Sequence, residues 1–203
     1  MRRDLDKAVT IDVSRTWEKD RLLPFGRLRE PWTALNRADF IIASKVKNAL
    51  EADHLASKLA RWEKPFGFCR PVLKAPVWVS GPRVQNPRKA VSFSGLGNNE
   101  AFADNLNAGQ WTVIRHLAFP DHHPFSRRDI LHIRKAWEDA RADNAPDESP
   151  VLLTTEKDYF RIRKLQYLEE WHDIPLAYIP MELQWLGGEE ALIKALVNMK
   201  NEK

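Results

Sequence analysis

Two short polar clusters follow apolar stretches that read as buried strands. They are Phe119-Pro120-Asp121-His122-His123-Pro124-Phe125 and Leu152-Leu153-Thr154-Thr155-Glu156-Lys157-Asp158. Thr155-x-x-Asp158 has the spacing of a helix start, where free N–H groups, the helix dipole and the Lys157 ammonium would attract an anion such as phosphate. The same pattern also suits a plain helix cap. Asp121-His122-His123 lies between two prolines, so its side chains cannot all point one way. Imidazole and carboxylate suit a metal, a structural loop or a hydrogen bond to a ligand; adjacent ligands chelate awkwardly, and no second His/Asp/Glu motif at a characteristic spacing accompanies them.

A third cluster, Gly26-Arg27-Leu28-Arg29-Glu30-Pro31, sets guanidinium beside carboxylate in a loop shaped by Pro and Gly. Arginine in a fixed loop grips phosphate oxygens bidentately, and Glu30 could orient it or help hold Mg²⁺. A surface ion-pairing loop is the simpler alternative. Gly95-Leu96-Gly97-Asn98 says only that the backbone turns tightly there.

Elements that would position these clusters follow from periodicity. Strands are predicted at Ala8–Val13, Phe40–Ala43, Phe66–Arg70 and Val77–Ser80, with helical spacing at Ala52, Leu55, Ala56, Leu59 and Trp62. From Ala90 the rhythm is regular: strand 90–94, helix 99–107, strand 112–119, helix 127–141, strand 151–154, a helical turn from Thr155, strand 176–179 and helix 189–199. Strands alternating with helices imply a mostly parallel α/β sheet. Ser126-x-x-Asp129 adds a capping-box start to the helix carrying Ile130, Ile133, Trp137 and Ala140 on one face. Pro71–Pro87 reads as a connection between lobes, which places a domain boundary near Pro87: residues 1–87 and 88–203.

Composition narrows the function. A hydrophobic content of 43% with eight Trp and nine Phe fits a globular chain. The formal charge of +4, from 32 basic and 28 acidic residues, is a mixed surface without the dense basic stripe that nucleic acid requires. The single Cys69 excludes an internal disulfide and fits a reducing compartment, with the cytoplasm as the expectation. No apolar run approaches 18 residues and Met1-Arg2-Arg3 does not lead into an apolar segment, so neither a membrane span nor a signal peptide is expected. No Gly-x-x-x-x-Gly-Lys-Ser/Thr loop occurs in the 203 residues.

Taken in order, Leu-Leu-Pro-x-Gly-x-Leu-Arg-Glu-Pro (22–31), Asn36-Arg37-Ala38-Asp39, Gly95-Leu96-Gly97-Asn98, Phe119-Pro120-Asp121-His122-His123-Pro124 and Thr154-Thr155-Glu156-Lys157-Asp158 resemble the tetraacyldisaccharide 4′-kinase (lipid A 4′-kinase) family of Gram-negative bacteria. Arg3-Asp4-Leu5-Asp6 resembles the family segment just after its acidic Asp-Asp motif. The resemblance implies transfer of the ATP γ-phosphoryl, with Mg²⁺, to the 4′-hydroxyl of tetraacyldisaccharide 1-phosphate, giving lipid IVA at the cytoplasmic face of the inner membrane. It implies the remainder of a P-loop kinase-like α/β/α lobe followed by a smaller α/β/α lobe, with the site in the cleft between them. Arg29 and Glu30 match the family's Arg-Glu pair near the transferred phosphate, and His122 matches a His contributed by the second lobe; these three are the expected catalytic residues. His123, Thr155, Glu156 and Lys157 match its motifs, with Thr155 and Lys157 assigned to cofactor binding and no metal ligand assigned. The P-loop Lys and Ser/Thr and the acidic base have no counterpart here, so the chain is expected to be the carboxyl-terminal part of such an enzyme, inactive alone: a fragment, a misplaced start or one half of a split protein. A non-catalytic nucleotide- or lipid-phosphate-binding module is the alternative.

Overall fold

A computed structural model describes residues 7–14, 19–26, 28–84, 88–145, 148–165 and 171–200. Arg3-Asp4-Leu5-Asp6, Arg27 and Pro87, singled out above, lie outside them. The chain divides into two compact units, residues 1–72 with 183–203 and residues 73–182.

In the first unit, β1 (Ala8–Asp12), β2 (Phe40–Ser44), β3 (Phe66–Leu73) and β9 (Met181–Gly187) form a four-stranded sheet in that order, with β1–β2 and β2–β3 parallel. Ile11, Ile41, Ala43 and Phe68 from one sheet face pack with Ala52, Leu55 and Leu59 of α1 (Ala49–Leu59), whose amino end is capped by Asn48. β9 was not predicted, because Met181-Glu182-Leu183-Gln184 leaves both alternating sets exposed and supplies no buried face to read. Gly67 is the position on β3 that lets it pair closely: a Cβ there would lie 2.8 Å from the Trp185 ring. Sequence periodicity had grouped residues 183–203 with the second lobe; in the structure the chain leaves β8 through Pro180 and joins the first sheet.

In the second unit the sheet order is β4 (Val77–Ser80), β8 (Leu176–Ile179), β7 (Val151–Thr155), β5 (Lys89–Gly95), β6 (Thr112–Phe119). Only the β4–β8 pair is antiparallel. β5 and β7 are buried on both faces, as central parallel strands must be. Val91, Phe93, Leu152 and Leu176 face one way, onto α3 (Arg127–Ala142) and α4 (Glu156–Ile162). Ala90, Val151, Leu153 and Ala177 face the other, onto Phe102 and Leu106 of α2 (Asn99–Ala108). The unit is therefore an α/β/α sandwich, and with α5 (Glu189–Lys200) in the first unit the chain is mixed α/β with two mostly parallel sheets. The helix boundaries follow the capping signals, including the reciprocal Ser126–Asp129 box.

Trp137 is the anchor of α3, buried to 2% exposure with its indole N–H donating to the Pro150 carbonyl at 2.7 Å. Trp137→Ala is expected to cost about 3–5 kcal/mol in urea unfolding of the full chain, whereas Leu131→Ala, on the exposed side of the same helix, should stay within about 0.5 kcal/mol.

Candidate functional site

The parallel strands of the second unit end at Gly95, Phe119, Thr155 and Ile179. β6 lies on one side of β5 and β7 on the other. Successive connections therefore diverge between β5 and β7, the switch point at which open α/β sheets leave a crevice for ligands. The loop after β5 (95–98), the loop after β6 (120–125) and the start of α4 come together at this end. Gly95 permits it, because a Cβ there would lie 3.2 Å from the Pro120 carbonyl oxygen and 3.3 Å from Asp158 Oδ1.

Asp158 is the junction. Its side chain is fully buried, and Oδ2 accepts from the Gly95 N–H at 2.8 Å and from the Thr155 hydroxyl at 2.8 Å. Thr155 in turn accepts from the Asp158 N–H at 3.1 Å, which makes the Thr155-x-x-Asp158 cap real. Asn99 ties the neighbouring loops: its Oδ1 accepts from Ser94 Oγ at 2.6 Å and the Leu96 N–H at 3.2 Å, and its Nδ2 donates to the Phe119 carbonyl at 2.7 Å. Beneath it Ser92 Oγ is 2.8 Å from His116 Nδ1. Burial holds the His116 imidazole below its ordinary pKa, so this ring favours the neutral form.

The two adjacent histidines part company. His123 turns inward, stacked on Phe119 at 5.0 Å and donating from Nε2 to Asp129 Oδ2 at 3.0 Å. Burial opposes ionisation of Asp129, but hydrogen bonds from the Ser126 hydroxyl, the Ser126 N–H and His123 outweigh it and keep this carboxyl below the usual range. His122 turns outward in a left-handed backbone conformation, φ 60°, with its N–H capped by Asp121 Oδ1 at 2.9 Å. The Lys157 ammonium lies 3.0 Å from the same oxygen and is the chief reason that Asp121 titrates below the carboxylate range. Arg161 Nη2 is 2.8 Å from His122 Nδ1, and Arg161 Nη1 is 3.5 Å from Asp158.

His122, Thr155 and Lys157 thus gather at one end of the second sheet, while His123 supports the loop from within. Glu156 is exposed beside them. Sequence reading missed Arg161, although a position three residues beyond Asp158 and four beyond Lys157 on a helix puts it on the same face. It also missed the Ser92–Ser94–Asn99–His116 network, where alternation along β5 signals burial and says nothing of polar partners. Among the described residues no group of three His, Cys, Asp or Glu side chains is placed to hold a metal ion.

Arg29 and Glu30 belong to the first unit. Both are exposed and line a cavity of about 830 Å³ whose walls include β1, Asp12, Asp20, Trp32 and Arg37. Glu30 is ion-paired with Arg37. At the carboxyl ends of β1 and β2, Asp12 accepts from Lys45 and Ser14; burial opposes its ionisation, yet those hydrogen bonds hold its pKa down.

This topology defines a mixed α/β class with two mostly parallel sheets, and comparison with known proteins gives the family. The family model described as tetraacyldisaccharide-1-P 4′-kinase (LpxK) matches residues 1–201, and the chain belongs to that family. It is 34% identical over 207 residues to the tetraacyldisaccharide 4′-kinase of Chlorobaculum parvum, covering 99% of this chain and 54% of the relative. It is 31% identical to that of Pelodictyon phaeoclathratiforme, over 80% of this chain and 45% of the relative. The chain therefore spans about half the length of these relatives. A crystal structure of the "apo" form of LpxK from Aquifex aeolicus in complex with ATP superposes with a TM-score of 0.57 at 22% identity, over 94% of this chain and 51% of that one, which supports the fold.

Removing the junction should be costly. Asp158→Ala leaves the Gly95 N–H and the Thr155 hydroxyl without their acceptor and is expected to destabilise the full chain by about 2–4 kcal/mol in urea unfolding, with Asp158→Asn losing less because it keeps an acceptor oxygen. A loss below about 0.5 kcal/mol for Asp158→Ala would remove Asp158 from this role.

Proposed function

We propose that this chain supplies part of a tetraacyldisaccharide 4′-kinase, which transfers the γ-phosphoryl of ATP to the 4′-hydroxyl of tetraacyldisaccharide 1-phosphate to give lipid IVA. The observation that carries the reading is the family match across residues 1–201. Phosphoryl transfer is mainly a matter of positioning and charge neutralisation. In this proposal Arg29 neutralises phosphate charge, Glu30 and its Arg37 partner set the loop that presents it, and His122 contacts a reacting oxygen. Thr155 and Lys157 lend a capped helix start and an ammonium to phosphate binding. Residues 1–72 with 183–203 act with the P-loop lobe, and residues 73–182 act as the second lobe.

Magnesium enters with ATP as substrate. Such ions are held through one or two carboxylates plus phosphate oxygens. Glu30 and Asp121 are already paired with cations, so these residues do not by themselves fit a magnesium cage and no step is assigned through one.

No Gly-x-x-x-x-Gly-Lys-Ser/Thr motif occurs in the 203 residues, which supports the further proposal that these residues alone do not turn over ATP and act together with a P-loop lobe. Among the described residues no helix is long and apolar enough to cross a membrane. We place the reaction at the cytoplasmic surface of the inner membrane, where an acylated acceptor resides, with no nucleic-acid partner. The missing Gly-Lys motif also favours a second reading, a non-catalytic nucleotide- or lipid-phosphate-binding module.

The test is ATP-dependent phosphorylation of tetraacyldisaccharide 1-phosphate by the full chain, alone and mixed with the P-loop half of a relative. No turnover alone and turnover on mixing are expected, with His122→Ala lowering the rate of the mixture about 10²–10³-fold. Binding of either substrate without turnover in any mixture would favour the module.

A further inference from the structure

His122 is 74% exposed at its side chain, yet its ring is not free to choose its protonated nitrogen. Nδ1 lies 2.8 Å from Arg161 Nη2. A guanidinium carries donors only and stays charged throughout the physiological range, so in this contact Nδ1 accepts. The neutral ring must then hold its proton on Nε2. The remaining groups act in the same sense. Asp121 Oδ2 stands 3.7 Å from Nε2, too far for a hydrogen bond but near enough to favour a proton on that side. Asp121 Oδ1 fixes the His122 backbone and is itself held by Lys157, and Asp158 lies beside Arg161. The left-handed backbone at His122, an uncommon conformation for a residue with a Cβ, is thereby held from two sides.

We propose that Arg161 is a positioning residue that fixes His122 as its Nε2–H tautomer, so that His122 meets its ligand as a hydrogen-bond donor and not as a proton-accepting base. The inference deepens the kinase reading and rests on it only for the identity of the acceptor, a phosphoryl or hydroxyl oxygen of the substrate. A donor held in this way stabilises negative charge on that oxygen without giving up its proton. A His acting as base would need an unprotonated nitrogen facing the ligand, and the only such nitrogen faces Arg161.

The tautomer is read without substrate or turnover. Two-bond ¹H–¹⁵N correlation spectra of the full chain, labelled at its six histidines, are recorded at a pH where the rings are neutral, with His122→Gln assigning the signal. One charge-assisted hydrogen bond should bias the equilibrium at least about tenfold. The His122 Nδ1 signal should therefore be more strongly unprotonated in character than that of exposed His54. Arg161→Met should bring the two together, and Arg161→Lys, which keeps a charged donor, should restore part of the difference. A protonated Nδ1 in the unsubstituted chain overturns the proposal even if Arg161→Met fails to fold, and so does a His122 signal unmoved in a folded Arg161→Met. Failure of phosphoryl transfer in the mixing experiment leaves this result standing, which separates the two claims.

Discussion

A carboxyl group with no access to solvent joins the loops at the carboxyl end of the second sheet. Asp158 accepts from the backbone N–H of Gly95 at the end of β5 and from the hydroxyl of Thr155, the residue that caps α4, and it lies beside the arginine that reaches the loop after β6. Stripping donors from such a group inside a protein costs several kcal/mol, so the segments it touches are held as one unit. Gly95 is small because Asp158 and the Pro120 carbonyl crowd it. The strained backbone at His122 persists because Asp121, Lys157 and Arg161 each restrain one part of it. The geometry of the exposed histidine is thus inherited from a buried aspartate two contacts away.

The first unit works under a different constraint. β1 stands at one end of its sheet, and the cavity lined by Arg29 and Glu30 has β1 as a wall. Arg29 is therefore offered from a loop beside a sheet edge rather than from a packed helix face. Charges in this unit are paired locally, Asp12 with Lys45 across the ends of β1 and β2 and Glu30 with Arg37 across a short helical turn. Exposed pairs of this kind contribute little to stability; their effect is to orient side chains.

Much of this architecture was legible in the sequence because burial on both faces of a parallel strand leaves an unbroken apolar run. Val151–Leu153 could be read in that way, Ala90–Ser94 by its apolar residues despite Ser92 and Ser94, and Ser126-x-x-Asp129 and Thr155-x-x-Asp158 marked their helix starts. β9 could not be read, since an edge strand with exposed alternating residues carries no periodic burial signal. At the site, sequence spacing brought out Asp121-His122-His123 and Lys157. It gave no sign that Asp158 would be the buried member of its motif, or that the neighbouring histidines would take opposite roles, because both depend on how three separate loops pack. Arg161 lay within reach of helical spacing, but its partner is 39 residues away in sequence.

The central claim is that this chain meets a phosphorylated ligand at the carboxyl end of the β5–β7 crossing. An amide and side-chain NMR titration of the full chain with ATP–Mg²⁺, and separately with a glucosamine disaccharide 1-phosphate, tests it most directly. Shifts concentrated at Gly95, His122, Lys157 and Arg161 are predicted for at least one of the two. Shifts confined to the opposite end of the sheet, around the cavity of about 410 Å³ lined by Trp137, Arg141 and Asn144, or no shifts with either ligand, would contradict it.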